Sequence, residues 1–178
     1  MPNRPQRIRL IPCRRIPYRP VTEMDQTDEE ATFAALSVEL ASVIESHLPG
    51  WITGSILQRA QQAGVVLDAG ARARATEAGE RCRDEVGPKI WALLTSDIDD
   101  QRSTPLVLLR SATSFATEVL ADWGVPPIDR DAYELRAFPL DLYGLSPASL
   151  ADVHESLAEP GVVWGAAKAY LHRKRHGA

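Results

Sequence analysis

The sequence predicts an all-α protein: a compact bundle of about six or seven helices behind a disordered, basic, Pro-rich N-terminal tail. Three observations lead there. Apolar residues recur every three or four positions through most of the chain, which is the period of one helix face. Residues that start and stop helices bracket those stripes. No alternating β-branched run of useful length occurs, and the Val65-Val66 pair is too short for a strand.

A chain of 178 residues is the size of one domain. With 44% hydrophobic and 25% charged residues it sits near the globular average, so a core is expected. Only two cysteines occur, Cys13 and Cys82, which excludes a small disulfide-framed scaffold. Cys82 falls in a helical register and reads as a small core residue. No apolar run reaches the roughly 18 residues of a membrane helix. Ile8, Leu10 and Ile11 are broken by Arg9 and Pro12, so no secretory signal is read. The Arg14-Arg15 pair is followed by Ile16-Pro17 rather than an export signal's hydrophobic stretch. The expected location is cytoplasmic, with no membrane association.

The first boundary falls near residue 24. Residues 1–23 hold six arginines, five prolines and one acid, a formal charge of +5, whereas the rest carry 14 bases and 23 acids, a formal −9. Five prolines deny that segment a regular helix and remove ladder donors from any strand. It reads as a solvated tail, or as upstream sequence from a misplaced start ahead of Met24; the functional alternative is a basic arm for nucleic acid or an acidic membrane surface. Residues 24–178 read as a single helical domain.

Within that domain, Thr27-Asp28-Glu29-Glu30 has the form of a capping box, followed by a stripe of Phe33, Leu36, Leu40, Val43 and Ile44. Pro49-Gly50 is expected to end the first helix. Trp51, Ile52, Ile56, Leu57 and Ala60 form a second stripe, closed by Gly64. Asp68 is placed to cap an alanine-rich helix whose Ala71, Ala75, Ala78 and Cys82 would let a neighbour approach closely. Gly87-Pro88 is expected to kink or split it, with Ile90, Trp91, Leu93 and Leu94 beyond.

After the polar stretch 95–103, Thr104 caps a helix with Pro105 at its first position, striped by Leu109, Ala112, Ala116, Val119, Leu120 and Trp123 and closed by Gly124. Pro126-Pro127 makes a stiff connection to a short helix over 129–137, and the chain through Phe138-Pro139 and Leu142-Tyr143-Gly144 reads as irregular. Ser146-Pro147 begins a helix carrying Leu150, Val153 and Leu157, stopped by Glu159-Pro160-Gly161. The last helix spans 162–172 with Trp164, Ala167 and Leu171 inward, and Arg173-Lys174-Arg175 at its negative pole.

Motifs that carry chemistry are missing. Neither the phosphate-cradling glycine-lysine loop nor the dinucleotide glycine triplet occurs, nor does Gly-x-Ser-x-Gly. Ser146 precedes a proline and is explained by capping. His172 and His176 are four apart, but the terminus is expected to fray there, and no metal site is assigned. Asp97, Asp99 and Asp100 would need glycine and glutamate at the sixth and twelfth places of a calcium loop, which hold Arg102 and Leu108. That cluster reads as a solvated turn. The best helix-turn-helix candidate carries Asp152 and Glu155 and no base, so only the tail or the basic residues 173–175 could hold phosphates. No catalytic residue and no cofactor is assigned.

What remains is the segment 129–168. It gathers Arg130, Arg136, Phe138, Asp141, Tyr143, Trp164 and Lys168 around a loop stiffened by prolines at 126, 127, 139, 147 and 160. Rigid loops bearing aromatics and charges are common binding sites. The competing reading has Phe138, Tyr143 and Trp164 plugging the core while the charges are solvated.

Several short sequences run through the C-terminal half: Thr104-Pro105-Leu106, Gly124-Val125-Pro126-Pro127, Ala137-Phe138-Pro139, Asp141-Leu142-Tyr143, Leu145-Ser146-Pro147-Ala148-Ser149 and Trp164-Gly165-Ala166-Ala167-Lys168-Ala169. In combination, over residues 104–172, they resemble a family of conserved actinobacterial proteins of unknown function. The resemblance implies a cytoplasmic bacterial protein that begins near Met24, and it carries over no activity or catalytic residue. The leading functional expectation is a non-enzymatic binding or regulatory protein that engages another protein through the 138–143 loop. The alternatives are an enzyme with carboxylates and Arg136 lining a pocket, and weak nucleic-acid binding through the Arg-rich tail. The oligomeric state is not fixed by the sequence.

Overall fold

The computed structural model describes residues 23–96 and 104–177, with side chains from residue 28 onward. The basic tail, Cys13 and the Asp97, Asp99 and Asp100 cluster therefore lie outside the described residues. Those residues are all-helical and contain no strand. They form α1 (Glu23–Gln62), α2 (Ala69–Thr95), α3 (Pro105–Asp122), α4 (Ala132–Ala137) and α5 (Ala158–His176). Two single 3₁₀ turns, Leu150–Asp152 and Glu155–Leu157, precede α5. Five helices thus stand where six or seven were expected.

Two expected breaks do not occur, which accounts for the difference. α1 is one rod of 40 residues with Pro49 inside it, roughly 60 Å long at about 1.5 Å per residue. An interior proline loses one hydrogen bond and crowds the preceding turn, at a cost of about 3 kcal/mol. Leu40, Ile44, Leu48, Ile52, Ile56 and Ala60 nevertheless step by four across it, and all are fully buried. Each large side chain buried is worth roughly 1.5–3 kcal/mol, so a break that pulled either half off the core would cost more than the proline does. α2 likewise runs through Gly87-Pro88, where Cys82, Val86, Ile90 and Leu94 keep the same step on the buried side.

α1 and α2 form an antiparallel hairpin. Gly64 (φ +80°) ends α1 in the left-handed region, while Gly64 and Val65 return their N–H groups to the carbonyls of Gln61 and Ala60. Asp68 opens α2 by accepting from the Ala71 amide at 2.7 Å, as its position predicts. The small residues of α2 do allow close approach. A Cβ at Gly79 would sit 2.4 Å from the Pro49 carbonyl oxygen and 2.6 Å from Thr53 Oγ1. α3 lies against both helices and closes the core with Leu109, Ala112, Ala116 and Leu120, none of them exposed. Thr104 is its first flanking residue, although the hydroxyl makes no capping bond. Gly124 (φ +67°) ends it.

α5 packs along the first half of α1. Trp164 is buried, stacks on Phe33 with ring centroids 5.9 Å apart, and donates its indole N–H to the buried Ser37 hydroxyl at 2.8 Å. The Glu29-Glu30 pair is not part of a cap, because α1 already begins at Glu23. It meets the basic end of α5 instead: Glu29 accepts from Lys174 at 2.9 Å, and Glu30 lies 3.6 Å from Arg175. α5 also differs at both ends from the sequence expectation. Pro160-Gly161 lies in its first turn, where amides have no intrahelical acceptor to lose, and ordered helix continues to His176. The expected helix over 146–157 is instead an irregular segment with two 3₁₀ turns. No helix among the described residues is long and apolar enough to cross a membrane.

Candidate functional site

Between the end of α3 and the start of α5 the chain is irregular yet heavily fastened. Val125 is buried and anchors its start. The Pro126 carbonyl accepts from Arg59 of α1 at 3.1 Å, and the Ile128 amide donates to the Leu142 carbonyl at 3.0 Å, closing the base of a loop. Asp131 caps α4 by accepting from the Tyr133 and Glu134 amides, both at 2.8 Å. After the loop, the Asp152 carboxylate accepts from the Ala148 and Ser149 amides at 2.7 and 2.8 Å.

Arg130 and Asp141 hold the loop's centre. Their side chains are 7% and 4% exposed and meet at 2.8 Å. The same carboxylate accepts the Leu145 amide at 2.7 Å and the Ser146 amide at 2.9 Å. Burial alone would raise the Asp141 pKa. The amide bonds from Ser146 and Leu145, joined by the Arg130 guanidinium, outweigh that burial and hold the carboxyl below its ordinary value. Phe138 is half-buried, with the Arg110 and Arg130 guanidinium carbons 5.4 and 5.8 Å from its ring centre. Gly144 (φ +72°) makes the tight return, and a Cβ there would press on Ile128 at 2.9 Å.

The seven sequence candidates therefore separate. Arg130, Phe138 and Asp141 come together, as a structural clasp. Tyr143 is buried nearby and lines a cleft together with residues of α1. Trp164 and Lys168 belong to α5, where the ammonium lies 5.1 Å from the indole centre and burial lowers the lysine pKa. Arg136 is exposed on α4. Ser146 is no helix cap; its amide is a donor to Asp141.

Three groups were missed. Every residue of α4 is exposed, and large apolar side chains stand out from it and its loop: Tyr133 at 80%, Leu135 at 53%, Leu140 at 86% and Leu142 at 46% exposure. Their spacing matches no helical stripe, which is why periodicity passed over them. Arg110 reaches the loop from α3, donating to the Pro147 carbonyl at 3.4 Å. Beneath the loop, a polar cleft of about 330 Å³ runs between residues 143–152 and one face of α1. Beside this region His47 of α1 stacks on His154 at 3.6 Å, and the His154 Nδ1 accepts from the Ser156 amide. Among the described residues, no group of three or more His, Cys, Asp or Glu is arranged to hold a metal ion. No protein-family model, curated protein or solved structure matches the chain.

Proposed function

We propose that the chain is a non-enzymatic binding protein that engages another protein through α4 and the loop that follows it. The observation carrying this reading is the exposure of Tyr133, Leu135, Leu140 and Leu142 within ten residues of firmly held backbone. Exposed apolar patches on a soluble surface mark interaction sites. Fixing such side chains on a clasped loop lowers the entropy lost when a partner docks. The exposed charges of Asp129, Glu134 and Arg136 around them supply a polar rim. The partner is expected to present an apolar recess edged by charge.

An enzymatic reading gains little support from the same geometry. Among the described residues, the one carboxyl whose pKa is displaced, Asp141, is displaced downward with its oxygens occupied, unlike a general acid or base poised near neutrality.

The test compares proteins retained by the wild type with those retained by a Tyr133→Ala, Arg136→Ala, Leu140→Ser variant. Tyr143 is unsuitable, since changing it damages the core. The variant should keep its helical circular dichroism and lose a defined partner. An unchanged partner set in a folded variant would remove the proposal.

A further inference from the structure

We propose that residues 1–22 of this chain dock back onto the exposed face of α1 between Glu30 and Val43, their arginines paired with the acids of that helix and their aliphatic side chains seated on an apolar strip. The strip lies on a different element from α4, and the inference does not rest on the reading of that surface.

The strip occurs where α1 runs past the end of α2. Leu94, Thr95 and Ser96, at that end, line a recess of about 280 Å³ together with Phe33, Ala34 and Val38 of α1. Ala34 and Val38 also belong to a shallow strip with Ala35, Ser42 and Val43, bordered by Glu39, which continues the recess along the helix. α5 shields another side of this stretch, through Trp164 against Phe33 and Ser37. Ala34 and Ala35 nevertheless stay exposed, and Val38 is 45% exposed.

Charge names the occupant. From Glu23 to Gln58, α1 carries seven acids and no lysine or arginine, whereas residues 1–22 carry six arginines and no acid. The two blocks adjoin along the chain, so opposite fields meet at short range. Glu29 and Glu30 already pair with the basic end of α5, but Asp28 and Glu39 meet no base among the described residues. Nucleic acid would be repelled by these acids, and a second copy presenting the same face would bring like charges together.

Reach and composition agree. Ala34 and Val43 lie roughly 16 and 30 Å along α1 from Glu23, at about 1.5 Å per residue. A chain of 22 residues spans up to roughly 70 Å at about 3.3 Å each, enough to turn back and cover both. Ile8, Leu10, Ile11, Ile16, Tyr18 and Val21 stand among the arginines and supply the apolar contacts. Five prolines fix φ in advance, which lowers the entropy lost on docking. Covalent attachment adds an effective concentration on the order of mM, so a contact that is weak between separate molecules suffices here.

The experiment places a nitroxide on Cys13 of the full chain and reads paramagnetic broadening of backbone amides by NMR. Cys82 is buried, with its thiol pKa raised to about 12, so the label goes to Cys13 alone. Broadening should centre on residues 30–43. It should weaken as ionic strength rises from about 0.1 to 1 M, where the screening length falls from about 10 to 3 Å. Asp28→Asn with Glu39→Gln should reduce it by about twofold or more, as for two lost exposed ion pairs; both positions are exposed, so the fold is not at risk. Without any label, changing Arg7, Arg9, Arg14 and Arg15 to serine should shift the same amides. If neither the broadening nor the shifts single out residues 30–43, the proposal falls. Broadening indifferent to salt and to the Asp28 and Glu39 changes would also overturn it, and broadening that disappears on dilution would assign the strip to a second copy instead.

Discussion

Asp141 shows how a single buried carboxylate can organise a loop without any helix or sheet to help. It neutralises Arg130 and also takes two amides that an irregular chain would otherwise leave unpaired. Removing one partner of a buried pair strands the other, at about 3–5 kcal/mol. Asp141→Asn should therefore lower unfolding stability by that order in a urea titration. The pH dependence follows from the direction of the shift. A carboxyl lowered in the folded state adds stability that is fully present above its unfolded pKa, near about 4, and is lost as pH falls through the folded value. Between neutrality and about pH 5 this group should contribute no slope; the loss belongs to more acid conditions, and Asp141→Asn should flatten that acid limb. At the helix contact, Gly79→Ala places a methyl against backbone that cannot yield cheaply. A loss of about 1–3 kcal/mol is expected from such overpacking, read as a lower thermal midpoint. A midpoint equal to wild type would mean that α1 and α2 can separate freely. Cys82, buried on the same face with its thiol pKa pushed up to about 12 by burial and then by Glu85, should stay inert to alkylating reagents in the folded protein.

Among the elements, the two proline-containing helices teach the most about reading a sequence. A proline-glycine pair is a strong local signal: Pro49-Gly50 is expected to end a helix, and Gly87-Pro88 to kink or split one. The apolar residues on either side hold one phase across each proline, a signal present in the sequence and outweighed there by the local rule. Phase decides because a register shared with the core is stabilised by many contacts, whereas the proline penalty is paid once. Pro49→Ala should accordingly stabilise α1 by about 1–2 kcal/mol, the helix-interior gain less the proline's restraint on the unfolded chain. A variant no more stable than wild type in chemical denaturation would show that packing already compensates the missing amide. At the α5 junction, Ser37→Ala leaves the Trp164 N–H without its acceptor and should cost about 1–3 kcal/mol. The cap at Asp68, the stops at Gly64 and Gly124, and the extent of α3 are legible in the sequence, because each depends on residues within one turn of itself.

For the molecule as a whole, the buried core and the surface proposed for recognition lie on different elements. The hairpin, α3 and α5 hold the core, while α4 is exposed throughout. Changing Tyr133 and Leu140 should thus move unfolding stability by less than about 0.5 kcal/mol, as for surface sites generally, while abolishing partner capture. A large fall in thermal midpoint would place those residues in the fold instead of at an interface. The sequence picks out the segment 129–168 by its prolines, aromatics and charges, and the structure divides its members among different surroundings. Arg130 and Asp141 spend their charges on each other, Tyr143 and Trp164 are buried, and the exposed apolar residues between them had drawn no notice.

By itself the sequence determined the helical class, the apolar stripes that became the core, and most helix ends, since these follow from interactions among residues close along the chain. Tertiary structure alone decided that two prolines would be carried inside continuous helices. It also paired Arg130 with Asp141, buried Tyr143, and left α4 uncovered. Each of those outcomes depends on which distant segments come to share the low-dielectric interior, where a lost partner or an unfilled contact costs far more than any local preference.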